Sequence, residues 1–304
     1  MQHNKIELRQ RRDVGEMITI YFDFFKQNYK QFTNIFISYN GVFILAFLFI
    51  SYLLVSGFMG LASSNGESTS DTMLLGIGAL LFMVVFMVVA ALNYSLASAF
   101  MIRYVKSETT QVDKKIVWNL VYNKLGVIIA FILFLVLIYF VFMVLSIVLA
   151  FIPIIGTLVQ YIISFAMTSW FGISFMVMLR ENKGVIDSFS EGWMLVKTSF
   201  WTCVGANLVI GMIAGILILL ILSIPGILIG IYTFHAVNTG DDIANSVVAK
   251  IIYTLGTTFF LLGIAYSQAL SQFINGILYF SLHEKTYNEL TREKIKQIGQ
   301  EQDL

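Results

Sequence analysis

Polar side chains recur along one face of the last long apolar segment of this chain. Four amide- or hydroxyl-bearing residues follow one another there at intervals of four, three and four: Gln268, Gln272, Asn275 and Tyr279. This spacing places them on one side of an α-helix. Uncharged polar groups of this kind bind a polar ligand such as a lipid headgroup, or they hydrogen-bond to neighbouring helices. Two other apolar segments add further members to this candidate polar site: Asn93, Ser164 and Thr168. We prefer the interpretation in which these side chains hydrogen-bond helices together.

Residues that catalyse hydrolysis or bind metals are sparse in the sequence. The single cysteine is Cys203, and the three histidines are scattered along the chain: His3, His235 and His283. Membrane iron oxygenases need clusters of histidine ligands, and zinc proteases need paired histidines at a fixed spacing. The adjacent Asp241 and Asp242 could bind a divalent cation, but a solvated turn is the preferred interpretation. We therefore predict no catalytic residue, no metal and no cofactor.

Composition places these residues in a membrane protein. Of the 304 residues, 58% are hydrophobic and 12% are charged, whereas soluble domains carry about 25% charged residues. Six apolar segments are long enough to cross the ~30 Å hydrocarbon core of a bilayer. We predict spans at residues 34–59, 73–102, 126–151, 156–179, 200–223 and 250–281. Their centres hold no Asp, Glu, Lys or Arg, which argues against a proton-coupled transporter with a midplane carboxylate.

Basic residues occupy alternate polar stretches between these spans. They cluster before the first span and after the second, fourth and sixth, whereas the gaps after the first, third and fifth spans have none before Lys250. The positive-inside rule then places both termini in the cytoplasm. The first thirty or so residues are charged and amphipathic, unlike a signal peptide. We predict a multi-pass protein of the bacterial inner membrane, and a net charge of +1 gives no basic face for nucleic acid.

Amphipathic segments precede each odd-numbered span. We predict that these segments are helices that lie in the plane of the membrane interface, anchored there by Phe25, Trp118 and Trp193. The three segments align with one another, and the even-numbered spans end alike. We therefore predict three repeats, at residues 12–104, 111–181 and 184–285, each made of an in-plane helix and a helical hairpin.

The predicted fold is an all-α integral membrane bundle of six transmembrane helices. It forms a single membrane domain over residues 1–304, and residues 286–304 form a short polar cytoplasmic tail. The fifth span is predicted to end before Pro225, with residues 226–234 as a re-entrant or interfacial piece. Gly211 and Gly215 form a small-xxx-small pair that packs helices, either within the bundle or against a partner subunit.

Three stretches of the chain carry a resemblance to a known family. They are residues 190–197 (SEGWMLVK) followed by Phe200 and Trp201, residues 278–284 (LYFSLHE), and the opening segment 13–26. With them the chain resembles the glycerophosphoryl diester phosphodiesterase membrane-domain family and related bacterial six-span families of unknown function. The likeness covers essentially the whole chain, and it implies an inner-membrane bundle that some relatives fuse to a soluble phosphodiesterase. Only about twenty residues follow Glu284, so phosphodiesterase activity is not expected here.

These observations predict a non-enzymatic polytopic inner-membrane protein. We expect a scaffold or accessory subunit that engages protein partners in the membrane or the cytoplasm, or that forms a homo-oligomer. The alternative is binding or transport of a lipid or another amphiphile through the polar faces of transmembrane helices 2, 4 and 6. Membrane lipids are expected partners in either case, and nucleic acid is not.

Overall fold

A computed structural model describes residues 5–64, 66–152, 154–292 and 295. Within these ranges the regular structure is helical and contains no β-strand. The helices are α1 (Val14–Ser63), α2 (Thr69–Lys106), α3 (Lys114–Tyr122), α4 (Leu125–Ala150), α5 (Ile155–Glu181), α6 (Val185–Thr198), α7 (Phe200–Thr239) and α8 (Val247–Tyr287), with a 3-10 turn at Ile243–Asn245. Most of the predicted polar tail, residues 293–294 and 296–304, lies outside the described residues.

Six of these helices are long and apolar enough to cross a membrane: α1, α2, α4, α5, α7 and α8. This confirms the predicted all-α class and the predicted number of candidate spans. α1 contains 50 residues and is therefore about 75 Å long. That length is more than twice the ~30 Å of the hydrocarbon core, so α1 includes more than a span.

The predicted boundary between the first in-plane helix and the first span is wrong. α1 begins with reciprocal hydrogen bonds between Asp13 and Glu16, in which the Glu16 amide donates to Asp13 Oδ1 at 2.8 Å, and it then continues unbroken to Ser63. No glycine or proline occurs between Glu16 and Asn40, so no residue there ends the helix. In contrast, α3 and α6 are separate short helices that end shortly before α4 and α7 begin.

The predicted end of the fifth span before Pro225 is also wrong. α7 is one helix of 40 residues with Pro225 inside it, and residues 226–234 are helical rather than a separate piece. Apolar helices of membrane proteins tolerate proline because neighbouring helices and local backbone adjustments satisfy the freed carbonyl group. The rule that proline ends a helix therefore does not apply to this segment.

The chain divides into two compact units. Unit 1 comprises the described residues of Met1–Thr33, Tyr94–Met212 and Leu270–Leu304, and unit 2 comprises those of Asn34–Asn93 and Ile213–Ala269. This division crosses the first and third predicted repeats, whereas the second, residues 111–181, lies entirely within unit 1. Most of the predicted site residues belong to unit 1.

Aromatic side chains from three helices form one part of the core of unit 1. They come from α1, α2 and α8 and are all buried: Phe24, Phe32, Phe100, Tyr104 and Phe273. The ring centroids of Phe32 and Phe273 lie 4.7 Å apart, and those of Phe24 and Tyr104 lie 5.0 Å apart. Buried aromatic pairs at these separations contribute about 0.5–1.5 kcal/mol each beyond the burial of their surface. The start of α1 is therefore packed against α2 and α8.

A second part of the core of unit 1 fixes α6 against α4 and α5. Phe189 of α6 stacks on Phe131 of α4 with centroids 4.5 Å apart, and the indole nitrogen of Trp170 donates to the Phe189 carbonyl at 2.8 Å. A side chain at Gly192 would place its Cβ 2.0 Å from Ser174 Oγ. Glycine is therefore required there for α6 to approach α5 this closely.

Candidate functional site

Gln272 and Asn275 of α8 form the centre of a buried hydrogen-bonded network in unit 1. Gln272 Nε2 donates to Ser98 Oγ of α2 at 2.8 Å and to the Gly172 carbonyl of α5 at 3.1 Å. Asn275 Nδ2 donates to Gln272 Oε1 at 3.3 Å. Both amide side chains are fully buried. These two residues were correctly predicted to share a helix face and to meet other helices.

Asn207 of α7, which is not among the predicted polar residues, completes this network. Its Nδ2 donates to Asn275 Oδ1 at 3.0 Å and to Ser169 Oγ at 2.7 Å. The Ser169 hydroxyl in turn donates to the Cys203 carbonyl at 3.1 Å. Asn207 is the only carboxamide in its predicted span, and that isolation was the available signal. We call Ser98, Ser169, Asn207, Gln272 and Asn275 the amide network.

Close packing surrounds the amide network. A Cβ at Gly172 would lie 2.2 Å from Asn275 Nδ2, and a Cβ at Gly276 would lie 2.2 Å from Met101 Sδ. The amide nitrogens donate to protein groups, and the adjacent helices approach at glycines. This arrangement is interhelical hydrogen bonding, which contributes roughly 0.6 kcal/mol per contact in membrane proteins.

The remaining predicted polar residues lie elsewhere. In unit 2, Asn93 Oδ1 accepts from Asn40 Nδ2 at 3.0 Å, and Asn93 Nδ2 donates to the Ala265 carbonyl at 2.8 Å. Gln268 Oε1 is buried and has no hydrogen-bond partner within the described part of the chain. In α5, the Thr168 hydroxyl donates to the Ser164 carbonyl of its own helix at 2.9 Å.

Tyr279 belongs to a charged site and not to the amide network. Its hydroxyl accepts from Arg180 Nη1 at 3.0 Å and donates to Glu181 Oε1 at 2.7 Å. Arg180 Nη2 also pairs with Glu289 Oε2 at 2.7 Å, and His283 Nε2 lies 3.4 Å from Glu181 Oε1. The sequence grouped Tyr279 with the amides because it shares their helix face, but it lies about one turn beyond Asn275, where the end of α5 supplies charged partners.

Glu191 ties α6 into the same group of charges. Lys183 Nζ lies 2.8 Å from Glu181 Oε2 and 3.4 Å from Glu191 Oε2, and the Tyr287 hydroxyl donates to Glu191. The Glu191 side chain is only 14% exposed. Partial burial lowers the pKa of Lys183, but the hydrogen bond and charge of Glu181, together with Glu191, outweigh it and raise that pKa above its usual value.

These contacts join the end of α5, the middle of α6 and the last turns of α8 to the residues that follow α8. The members of this charged cluster are Arg180, Glu181, Lys183, Glu191, Tyr279, His283, Tyr287 and Glu289. α5 ends there at Asn182, which adopts a left-handed conformation with φ of 57°, as is common where a helix ends. The cluster therefore fixes where α6 leaves α5.

The lysine that precedes α4 caps the end of α5. Lys124 Nζ donates to the carbonyls of Met178 at 3.2 Å and Leu179 at 2.8 Å. A cation at this position also interacts favourably with the negative end of the helix dipole. Burial, and the nearby charge of Lys106, lower the pKa of Lys124.

The predicted interfacial anchors remain partly accessible. Phe25 and Trp118 are half-buried, and Trp193 is 45% exposed with its ring 5.4 Å from that of Trp170. Their position at the headgroup level stays a prediction.

Of the two residues of the small-xxx-small pair, only Gly211 lies close to another helix of the chain. A Cβ at Gly211 would lie 3.5 Å from the Phe165 ring, whereas a Cβ at Gly215 has no described atom within 4 Å. Closer approaches in unit 1 occur at Gly156, Gly172, Gly192 and Gly276.

Asp241 and Asp242 lie in an exposed turn, as the preferred interpretation of this acidic pair expects. Asp242 caps the 3-10 turn, with the Asn245 side chain at 2.6 Å and the Asn245 amide at 3.3 Å, and these hydrogen bonds lower the pKa of Asp242. Among the described residues, no group of three His, Cys, Asp or Glu side chains is arranged to hold a metal ion.

Comparison of the chain with protein-family models, with curated proteins and with solved structures finds no match. The resemblance to the phosphodiesterase membrane-domain family therefore stays a prediction.

Proposed function

We propose that this chain is a non-enzymatic, multi-pass scaffold or accessory protein of the bacterial inner membrane that engages protein partners on its cytoplasmic side. The observation that carries the proposal is the charged cluster. It fixes α6 and the segment after α8 to the ends of two long helices. A surface held in place before its partner arrives loses less conformational entropy on binding than a mobile one.

The proposed topology places both termini and the charged cluster in the cytoplasm. Alternation of basic and acidic stretches along the sequence supports it. In the proposed triplication, α3–α4–α5 and α6–α7–α8 are two copies with the same order of one short and two long helices. The first copy differs because its short helix is continuous with its span in α1. We further propose that α3 and α6 lie at the membrane interface.

α6 is the element best placed to present a binding surface. One face is buried through Phe189, Leu195 and Val196. The opposite face exposes Ile186 at 72%, together with Asp187 and Ser190. Apolar groups beside exposed charges are typical of protein-binding surfaces. The surface we propose is the exposed face of α6.

The alternative function, lipid or amphiphile binding through the polar faces of helices 2, 4 and 6, has weaker support. Of the residues predicted for that ligand site, Gln272 and Asn275 belong to the amide network. Its amide nitrogens already donate to Ser98, Ser169 and the Gly172 carbonyl, so a ligand would have to displace protein hydrogen bonds. The geometry favours a structural role for this network.

Photo-crosslinking in cells tests the proposal. A benzophenone amino acid is placed at Ile186 or Ser190 on the exposed face of α6. The control position is Leu219 of α7, which is about as exposed as Ile186 and is flanked by apolar residues. We expect a discrete protein adduct, either a second copy of the chain or another protein, from the two α6 positions and none from Leu219. Absence of an adduct from α6, together with recovery of a lone monomer after mild detergent extraction, would contradict the proposal.

A further inference from the structure

His283 of α8 lies between two carboxylates of the charged cluster. Its Nε2 is 3.4 Å from Glu181 Oε1 at the end of α5, and its Nδ1 is 3.7 Å from Glu289 Oε2, which follows α8. The His283 side chain is only 8% exposed. The rings of Tyr279 and Tyr287, one turn before and one turn after it, have centroids 5.5 Å and 4.7 Å from that of the imidazole. Both nitrogens of a buried imidazole therefore face carboxylate oxygens.

This geometry favours the protonated ring. A neutral imidazole has one N–H group, so one of its two nitrogens would present a lone pair to a carboxylate oxygen. The protonated ring has an N–H group on each nitrogen and a positive charge, and it interacts favourably with both carboxylates. Histidine is the side chain that ordinarily gains or loses a proton between about pH 5 and pH 8. The contact between His283 and Glu289 should therefore be present at the acidic end of this range and weaken as the pH rises.

The carboxylate on the other side of the ring does not change its charge in this range. Burial raises the pKa of Glu181, but hydrogen bonds from His283, Lys183 and Tyr279, together with the charge of Lys183, outweigh it and lower that pKa to about 2. The two cations of the cluster, Arg180 and Lys183, each pair with a carboxylate. Further charged groups around this site are Glu191 of α6, Glu284 and Lys285 of α8, Arg11, which contacts Asn288, and Arg9, Lys106 and Arg292, which line a cavity shared with Glu289.

Glu289 belongs to a short segment, residues 288–292, that turns back beside the end of α8. The turn occurs at Asn288, which adopts a left-handed conformation with φ of 54°. The Glu284 carboxylate of α8 accepts from two backbone amides of this segment at 2.9 Å and 3.3 Å. Glu289 joins the segment to α5 through Arg180 at 2.7 Å. The contacts of Glu289 therefore decide how firmly the 288–292 segment is held against the helix ends.

We propose that His283 is a pH sensor that holds the 288–292 segment against the ends of α5 and α8 when it is protonated and loosens the segment when it is neutral. Because Glu289 also pairs with Arg180, loss of the His283 contact shifts the docking equilibrium of the segment and does not abolish docking. Ionisation of Glu289 itself would act in the opposite direction, since it strengthens the pair with Arg180 as the pH rises. The sensor does not depend on the proposed scaffold function.

A nitroxide spin label on Arg292→Cys, in a Cys203→Ala background, reports how firmly the segment is held. Arg292 lies at the end of the segment and is exposed. The full chain is purified in an uncharged detergent, and electron paramagnetic resonance spectra are recorded between about pH 5 and pH 8. We expect the ratio of mobile to immobile label to rise about three- to fivefold with pH, as is usual for the loss of one ion pair at a partly exposed carboxylate.

Matched histidine variants of the labelled chain assign the pH response. His283→Gln keeps a neutral side chain that donates hydrogen bonds, and it should hold the ratio near its high-pH value with no step. His235→Gln makes the same substitution at an exposed position of α7 and should respond to pH as the labelled chain does. Glu289→Gln removes the carboxylate and should leave the label mobile at every pH.

Four results would overturn the proposal. They are the absence of a pH step in the labelled chain, a ratio that falls as the pH rises, a step of unchanged size in His283→Gln, and a His283→Gln label held as firmly as at low pH. Should His283→Gln not fold, Glu289→Gln replaces it, since the Glu289 side chain is 43% exposed. An unchanged step in Glu289→Gln would then overturn the proposal.

Discussion

Asn207 and Asn275 should be energetically coupled across the interface between α7 and α8. Replacement of Asn207 by leucine keeps its shape and removes two interhelical hydrogen bonds, one to Ser169 Oγ and one to Asn275 Oδ1. At roughly 0.6 kcal/mol for each such bond in membrane proteins, the variant should lose about 1.2 kcal/mol of unfolding free energy. Asn275→Leu removes the shared bond and a second one to Gln272, so it should lose about as much.

The double variant Asn207→Leu with Asn275→Leu tests whether the two side chains contact each other directly or stabilise the protein independently. The hydrogen bond between Asn207 and Asn275 is lost in both single variants. The double variant should therefore lose less unfolding free energy than the two single losses added together, by about 0.6–1.7 kcal/mol. The assay is reversible unfolding in mixed micelles by titration with dodecyl sulfate, followed by tryptophan fluorescence.

A control and a refuting outcome are available on the same helix. Asn238 is exposed near the end of α7, so Asn238→Leu should change the unfolding free energy by no more than about 0.5 kcal/mol. Additivity of the two single losses within about 0.3 kcal/mol would refute the direct contact. An Asn207→Leu variant as stable as Asn238→Leu would refute the structural role of the amide network.

Two further predictions concern packing and capping in unit 1. Gly192→Leu should destabilise the protein by about 1–3 kcal/mol because its Cβ would meet Ser174 Oγ at 2.0 Å. The control Gly126→Leu, where a Cβ has no described atom within 4 Å, should not destabilise it. Equal melting temperatures of the two variants in detergent would contradict the close approach of α6 to α5. Lys124→Met should cost about 1 kcal/mol because it uncaps the last carbonyls of α5, whereas Lys115→Met, at an exposed position of α3, should cost less than about 0.5 kcal/mol. Thermal denaturation of both pairs checks these values, and a larger loss from Lys115→Met would count against the capping role.

Hydropathy was sufficient to predict the candidate spans, because the length and apolarity of a membrane-crossing helix are set by the bilayer. It was insufficient for the ends of these helices. Soluble-protein rules placed a helix end before Pro225, but α7 continues through it. Nothing in the sequence breaks α1 near residue 33, and the prediction of a boundary there came from a change in amphipathic pattern alone.

The polar contacts were predictable only in part. Helical spacing correctly put Gln272 and Asn275 on one face, since that depends on local geometry. It could not give their partners, because Asn207 is a lone polar residue without a periodic pattern. Tyr279 shares the same face but contacts the charged end of α5. The position of a residue along α8 therefore decides whether it meets the amide network or the charged cluster, and helical spacing does not give that position relative to the other helices.

The central claim is that six helices cross a membrane with the charged cluster on the cytoplasmic side. Single cysteines in a Cys203→Ala background test it in intact spheroplasts with a membrane-impermeant maleimide. Cysteines at Ser70 and Asp241, which lie at the predicted outer ends of the spans, should be labelled without permeabilisation, and cysteines at Glu108 and Ser190 only after it. Labelling of Glu108→Cys or Ser190→Cys in intact spheroplasts, or of Ser70→Cys only after permeabilisation, would contradict this topology.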